Sequence, residues 1–305
     1  VNSHNGHKKK FKGISTKVGI LPHSKTGSTT SKGCDHLSVE LEWDDVVWQD
    51  PDGGTIVLHG VLPTTVHPRQ LRPRIEWHAI ALLEGPEIED VWELEEASEI
   101  ESQGINLTSA VLGGGIDSVL IQDLIQLDDL QTGRFPDPEP RRLHRLALRH
   151  DRPVYCIEPT LDDEGWELQR TNEAKVSTHW RKLLSMVRIG KKWRKAVKRR
   201  IFDAEQPPKN VSKDMATASV LTAAWWDMTE SRINPELSRS RDIRFAKRLR
   251  GALSKERETH GDNATILVPM IQTWRVSLLD SLQSLPEVEE IISSSGPSDI
   301  LEGEE

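Results

Sequence analysis

Three ionisable side chains stand at the ends of apolar runs in this sequence, and a fourth lies on a helix ahead of the last such run. His59 falls near the end of the run 55–62. Glu84 closes the run 79–84 ahead of Gly85-Pro86, and Glu158 closes 153–158 ahead of Pro159. Arg241, with Asp242 beside it, is the fourth. A carboxylate at a strand end is available for general acid–base work or for holding a metal ion, and a Gly-Pro turn leaves it at the rim. The plainer role for Glu84 and Glu158 is to close their strands and pair with arginine.

Two further stretches could meet an anion. Gly113-Gly114-Gly115-Ile116-Asp117-Ser118 resembles the Ser-Gly-Gly-x-Asp-Ser loop of ATP pyrophosphatases, with Gly113 in place of the first Ser. Glycines let backbone N–H groups approach a phosphate, and a following helix adds its positive end. The same six residues also suffice for a flexible turn whose Asp or Ser caps a helix. The stretch 188–200 holds eight Lys or Arg among 13 residues, with Ile189, Trp193 and Val197 four apart. Such a basic amphipathic helix turns Lys191, Lys192, Lys195 and Arg199 toward water, where they could make weak anionic contacts with phosphates, RNA or a membrane surface. A solvated helix face over a buried stripe explains the same pattern.

The elements that would position these residues follow from periodicity. Four compact apolar runs, 55–62, 79–84, 153–158 and 265–271, predict strands buried in one sheet. Residues 37–48 alternate in part and predict an edge strand, folded back through Pro51-Asp52-Gly53-Gly54 as a hairpin. Leu71 and Ile75 within 67–78 predict a short amphipathic helix broken near Pro73, which would make 55–84 a strand–helix–strand unit. The acidic stretch 88–103 predicts a solvated helix or loop, and 119–130 and 141–150 predict helices. From 164 to 258 the pattern is helix after helix, with Pro207-Pro208 as a break and Asn234-Pro235 as a start. The fold class expected is α/β: a central, mainly parallel sheet flanked by helices, with a long helical insertion before the last strand. The domain layout expected is a disordered basic arm over 1–35, one domain over 36–292 with its insertion at about 164–258, and an acidic disordered tail over 293–305.

Composition limits the function classes. A formal net charge of −8 argues against general affinity for nucleic acid. Cys34 and Cys156 are the two cysteines, so neither a disulfide framework nor a zinc spacing is present. No run approaches the length of a membrane span, and a soluble, cytoplasmic protein is the expectation.

The order of these pieces is similar to the TraB/Tiki group, which belongs with erythromycin-esterase-like and ChaN-like proteins. The resemblance covers about 54–283. It is carried by the strand ending near His59-Gly60, by Leu82-Leu83-Glu84-Gly85-Pro86, by Pro138-Glu139 ahead of a helix, by 154–159, and by Ser240-Arg241-Asp242-Ile243-Arg244-Phe245 before the final strand. The resemblance implies metal-linked hydrolysis by the strand-end Glu, the Arg and two His, each His in a Gly-x-x-His after the first and last strands. Both motifs are missing here. Pro63 occupies the first position, and Val268-Pro269-Met270-Ile271 carries neither Gly nor His.

The expected function is therefore a TraB/Tiki-like protein with a degenerate hydrolase site, acting as a binding or accessory protein toward an unidentified protein or small molecule. The alternatives are a nucleotide-binding protein using Gly113 to Ser118 and an interaction protein using 188–200. If active, it would be a metal-dependent hydrolase recruiting His59, His67 or Glu158. The expectation is instead that no tight metal site exists, and that Glu84 is neutralised by Arg241.

Overall fold

A computed structural model describes residues 41–135, 137–160 and 162–294. The basic arm, the start of the 37–48 strand and most of the acidic tail lie outside the described residues.

The sheet has five strands: β1 (Val46–Gln49), β2 (Thr55–Val61), β3 (Ala79–Leu82), β4 (Val154–Cys156) and β5 (Thr265–Ile271), in the order β1-β2-β5-β3-β4. β1 pairs antiparallel with β2, and the other pairs are parallel. Gly53 and Gly54 supply the positive φ values, 101° and 86°, that the tight β1–β2 turn needs. The inner strands are buried on both faces, which is why they appear as unbroken apolar runs.

The expected strand–helix–strand unit takes another form. β2 and β3 are parallel, but the last strand lies between them. Their connection carries only a single turn, Arg69–Leu71, because Pro68 and Pro73 bracket it and leave no room for a longer helix. β3 bridges β5 only through Ala79–Ile266 and Ile80–Leu267, so that ladder stops before Pro269, which has no N–H to offer.

Ten helices surround the sheet among the described residues. α1 (Ile88–Glu101) and α4 (Glu139–Arg149) cover one face, where Trp92, Leu143 and Ala147 pack on Val57, Ile80 and Leu267. α5 (Glu164–Ser177), α9 (Pro235–His260) and α10 (Arg275–Gln283) cover the other, with Trp166, Phe245, Leu249 and Leu278 on Ile56, Leu58 and Val268. A third core lies off the carboxyl end of β2. There Leu62 and Leu71 meet α3 (Gly115–Leu124), α7 (Ile189–Arg200) and α8 (Asp214–Glu230) through Leu124, Trp193, Met215 and Leu221. α2 (Ile105–Leu112) precedes α3, and the short α6 (Trp180–Ser185) precedes α7. Local signals set several boundaries. Asn234 accepts from the Glu236 N–H ahead of Pro235 at the start of α9, and Asp163 caps α5 by accepting from the Trp166 N–H.

Candidate functional site

The parallel strands all deliver their carboxyl ends to one edge, where ligands of open α/β sheets sit. At the β2 end, His59 is buried and its Nδ1 lies 2.7 Å from Asp45 Oδ1. A carboxylate only accepts, so Nδ1 carries the proton and Nε2 presents its lone pair when the ring is neutral. The backbone just before Asp45 is fixed by Arg275, whose guanidinium donates to the Glu42 and Asp44 carbonyls. Burial lowers the Arg275 pKa to about 10, still charged at neutral pH. Gly60 makes this packing possible: a β-carbon there would lie 3.1 Å from Arg275 Cζ.

The ring of His67 stands 5.8 Å from that of His59, edge to face. Neither ring nitrogen of His67, nor Nε2 of His59, has a hydrogen-bond partner among the described residues. The loop after β2 (Thr64), the inner side of α8 (Thr222) and the turn after β5 (Thr273) each bury another hydroxyl in the same condition. A buried polar atom left unpaired costs about 1–3 kcal/mol, so the adjacent His59 and His67 rings require an explanation. Burial, and then the neighbouring His59, depress the His67 pKa to about 3. Its backbone N–H donates to Glu139 Oε2 at 3.0 Å. Glu139 is the first residue of α4, and burial raises its pKa against the pull of that hydrogen bond and of Arg142 and Arg72.

His67 lines a cavity of about 330 Å³ together with Arg72, Asp129, Arg142, Asn210 and Met215. Arg142 lies one turn beyond Glu139 on α4 and is 3.8 Å from Asp137. Arg72 ends the turn between β2 and β3.

The β3 and β4 ends bring the two expected carboxylates together. The Glu158 N–H donates to the Glu84 carbonyl at 3.1 Å. Glu158 accepts from the Trp166 indole at 3.2 Å and lies 3.6 Å from Arg170. Burial of the Glu84 carboxyl, then the like charge of Glu158, push its pKa up to about 7, with Arg170 pulling the other way. The residue as a whole is exposed, so water reaches this acid and screens its neighbours' charges.

The expected pairing of Glu84 with Arg241 does not form. Arg241 is held by Glu230 at 3.1 Å and Asp242 at 3.1 Å, with its guanidinium over the rings of Trp226 and Trp274. The glycine run also differs from the loop it resembles. Residues 105–112 are helix α2, so Gly113, Gly114 and Gly115 join two helices, whereas a phosphate loop of that kind follows a strand. Asp117 accepts from the Trp225 indole and Ser118 donates to the Val111 carbonyl, so neither side chain caps α3. Lys191, Lys192, Lys195 and Arg199 are exposed on α7 as expected, with Arg199 3.8 Å from Asp227. Among the described residues, no three His, Cys, Asp or Glu side chains converge as a metal-ligand set, and no helix is long and apolar enough to cross a membrane.

Asp45, Arg72 and Arg142 were not singled out by sequence reasoning, and Glu139 entered it only as part of Pro138-Glu139 in the family resemblance. The available signal was Pro138-Glu139 opening a basic helix, where a carboxylate at a helix start is favoured for reasons unrelated to a site.

Fold and site together define an α/β protein with a polar, cation-rimmed cavity at the carboxyl edge of its parallel strands. Comparison with family models, curated proteins and solved structures finds no match to this chain.

Proposed function

We propose that this chain is a binding protein for a small anionic molecule, held in the cavity at the carboxyl end of β2. The observation that carries the reading is His67. It lines a cavity of about 330 Å³ together with Arg72 and Arg142, and behind that wall its imidazole is buried with both ring nitrogens unpartnered. That volume suits a metabolite-sized ligand. Two guanidinium groups recognise a carboxylate or phosphate, and the neutral imidazole behind them keeps one donor and one acceptor unspent for a ligand that displaces the side chains covering it. Asp129 on the same wall would accept from a hydroxyl or amine of the ligand.

Binding is favoured over catalysis because an imidazole with a pKa near 3 is a weak base at neutral pH. The resemblance to the TraB/Tiki group supports the same conclusion. It implies a site on this edge of the sheet, yet Pro63 and the apolar end of β5 replace the histidines that hydrolysis would use. A second reading, residual acid–base chemistry, rests on Glu84 beside Glu158, where burial and a like charge raise the pKa of one carboxyl next to another.

The test is calorimetric titration and thermal shift with inorganic phosphate, malate and glycerol phosphate. Ligand at 100 times its Kd adds about 2.7 kcal/mol of stability. An anion that binds the parent and fails to bind the Arg72→Ala/Arg142→Ala variant supports the assignment. Absence of binding by every probe at millimolar concentration, or binding unchanged in that variant, overturns it.

A further inference from the structure

The surface formed by α6 and α7 has no role in that cavity. Residues 178–202 contain ten Lys or Arg and no Asp or Glu, in a chain whose net charge is −8. The charge segregation coincides with a second anomaly. Trp180, Leu183, Leu184 and Val187 are 58%, 50%, 60% and 84% exposed. Their spacing, i, i+3, i+4 and i+7, spans about two helical turns from α6 into the single turn Met186–Arg188 that follows it, so they form an apolar strip standing in water. Phe202, just past the end of α7, is 83% exposed.

α7 itself is amphipathic in the opposite sense. Its Trp193 and Ala196 are buried in the core shared with α3 and α8, and the Trp193 indole donates to Asp123 at 2.7 Å. Lys191, Lys192, Arg194, Lys195 and Lys198 therefore stay outside, and none of them has an ion-pair partner among the described residues. Arg200 is committed to Asp227, and Lys182 to the Arg232 carbonyl. The apolar strip ends at Val187, and the basic segment begins at Arg188.

We propose that α6 and α7 form a docking face for an anionic lipid surface, with the α6 strip entering the interfacial region and the α7 lysines and arginines meeting headgroup phosphates. The pairing of exposed aromatic and aliphatic side chains with a cationic helix face is the composition of an interfacial membrane-binding element. A nucleic acid would use the cations alone, because its phosphates offer nothing for Leu184 or Val187 to bury against.

The test is co-sedimentation of the full chain with vesicles of phosphatidylcholine, with and without about a third of phosphatidylserine. The expected result is binding to the anionic vesicles only, weakened at about 0.5 M salt, where charge attraction is screened within a few ångströms. Lys191→Gln/Lys192→Gln/Lys195→Gln, which removes three charges at about 1 kcal/mol each, should lower the partition coefficient about a hundredfold. Leu184→Ser/Val187→Ser should lower it as well, with no change in near-ultraviolet circular dichroism in either variant. Equal binding to both vesicle types, or no binding, overturns the proposal. So does tight binding of single-stranded RNA that survives the Leu184→Ser/Val187→Ser change, which would make the face a polyanion site.

Discussion

Acidification should expose the unusual state of His67. In the folded chain its imidazole is neutral down to a pKa of about 3, whereas an unfolded histidine titrates near 6.5. The folded pKa is depressed, so between these values the unfolded state binds more protons and stability falls as the pH falls. At pH 7 the unfolded ring is mostly neutral and the effect is small. At pH 5 it is almost fully protonated, and 1.5 pH units at about 1.4 kcal/mol each amount to about 2 kcal/mol lost. Phenylalanine fits the same ring-shaped space and keeps the backbone N–H that bonds Glu139, while removing the titration. Urea unfolding of the parent and His67→Phe, followed by tryptophan emission at pH 7 and pH 5, isolates this contribution. The parent should lose about 2 kcal/mol more than the variant across that interval. Titrations shared by both proteins, such as that of Glu139, cancel to first order. Equal pH dependence within about 0.5 kcal/mol would show that water or a bound proton reaches the ring, and the buried neutral imidazole would have to be abandoned.

Glu84 should behave in the opposite sense. Its folded pKa is raised to about 7, so stability is lost as the pH climbs from the unfolded value of 4.5 through 7. The parent's thermal midpoint should therefore drop relative to that of Glu84→Gln between pH 5 and pH 8, and parallel curves would refute the raised pKa. Arg241→Met leaves Asp242 and Glu230 without their cation and should cost about 3 kcal/mol or more. A double-mutant cycle between Glu84→Gln and Arg241→Met should give a coupling under about 0.5 kcal/mol, and a larger value would restore a direct link between the two.

The strands were legible because a strand covered on both faces must be apolar throughout, and β2, β3, β4 and β5 are so covered. The hairpin was legible in Pro51-Asp52-Gly53-Gly54, and the start of α9 in Asn234-Pro235. The turn around Arg69 reads as a helix in the sequence because Leu71 and Ile75 lie four apart, a spacing that two prolines overrule. The order of strands was not legible, since it depends on which runs bury each other across some 200 residues of chain. The Glu84–Arg241 pairing is suggested by residue type alone, and local geometry prevents it: Arg241 lies between two indoles and two nearer carboxylates. The chain has ten Trp and one Tyr, and the indoles have a common use. Trp166, Trp193, Trp225 and Trp274 each donate the indole N–H to a carboxylate, of Glu158, Asp123, Asp117 and Asp242 respectively. A large apolar side chain with one donor suits a helical protein rich in acids.

The central position of β5 has a consequence for how the chain comes to be folded. Its neighbours, β2 and β3, are made some 200 residues earlier and cannot pair with each other in the native arrangement. Until residue 271 is available, both present open edges to the solvent, and every ladder through the middle of the sheet is a long-range one. Such topology predicts slow folding, late closure of the sheet and a prolonged interval in which sticky edges are exposed. A chain stopped at residue 264 should retain helices without a native sheet, so the final strand acts as the commitment step of assembly.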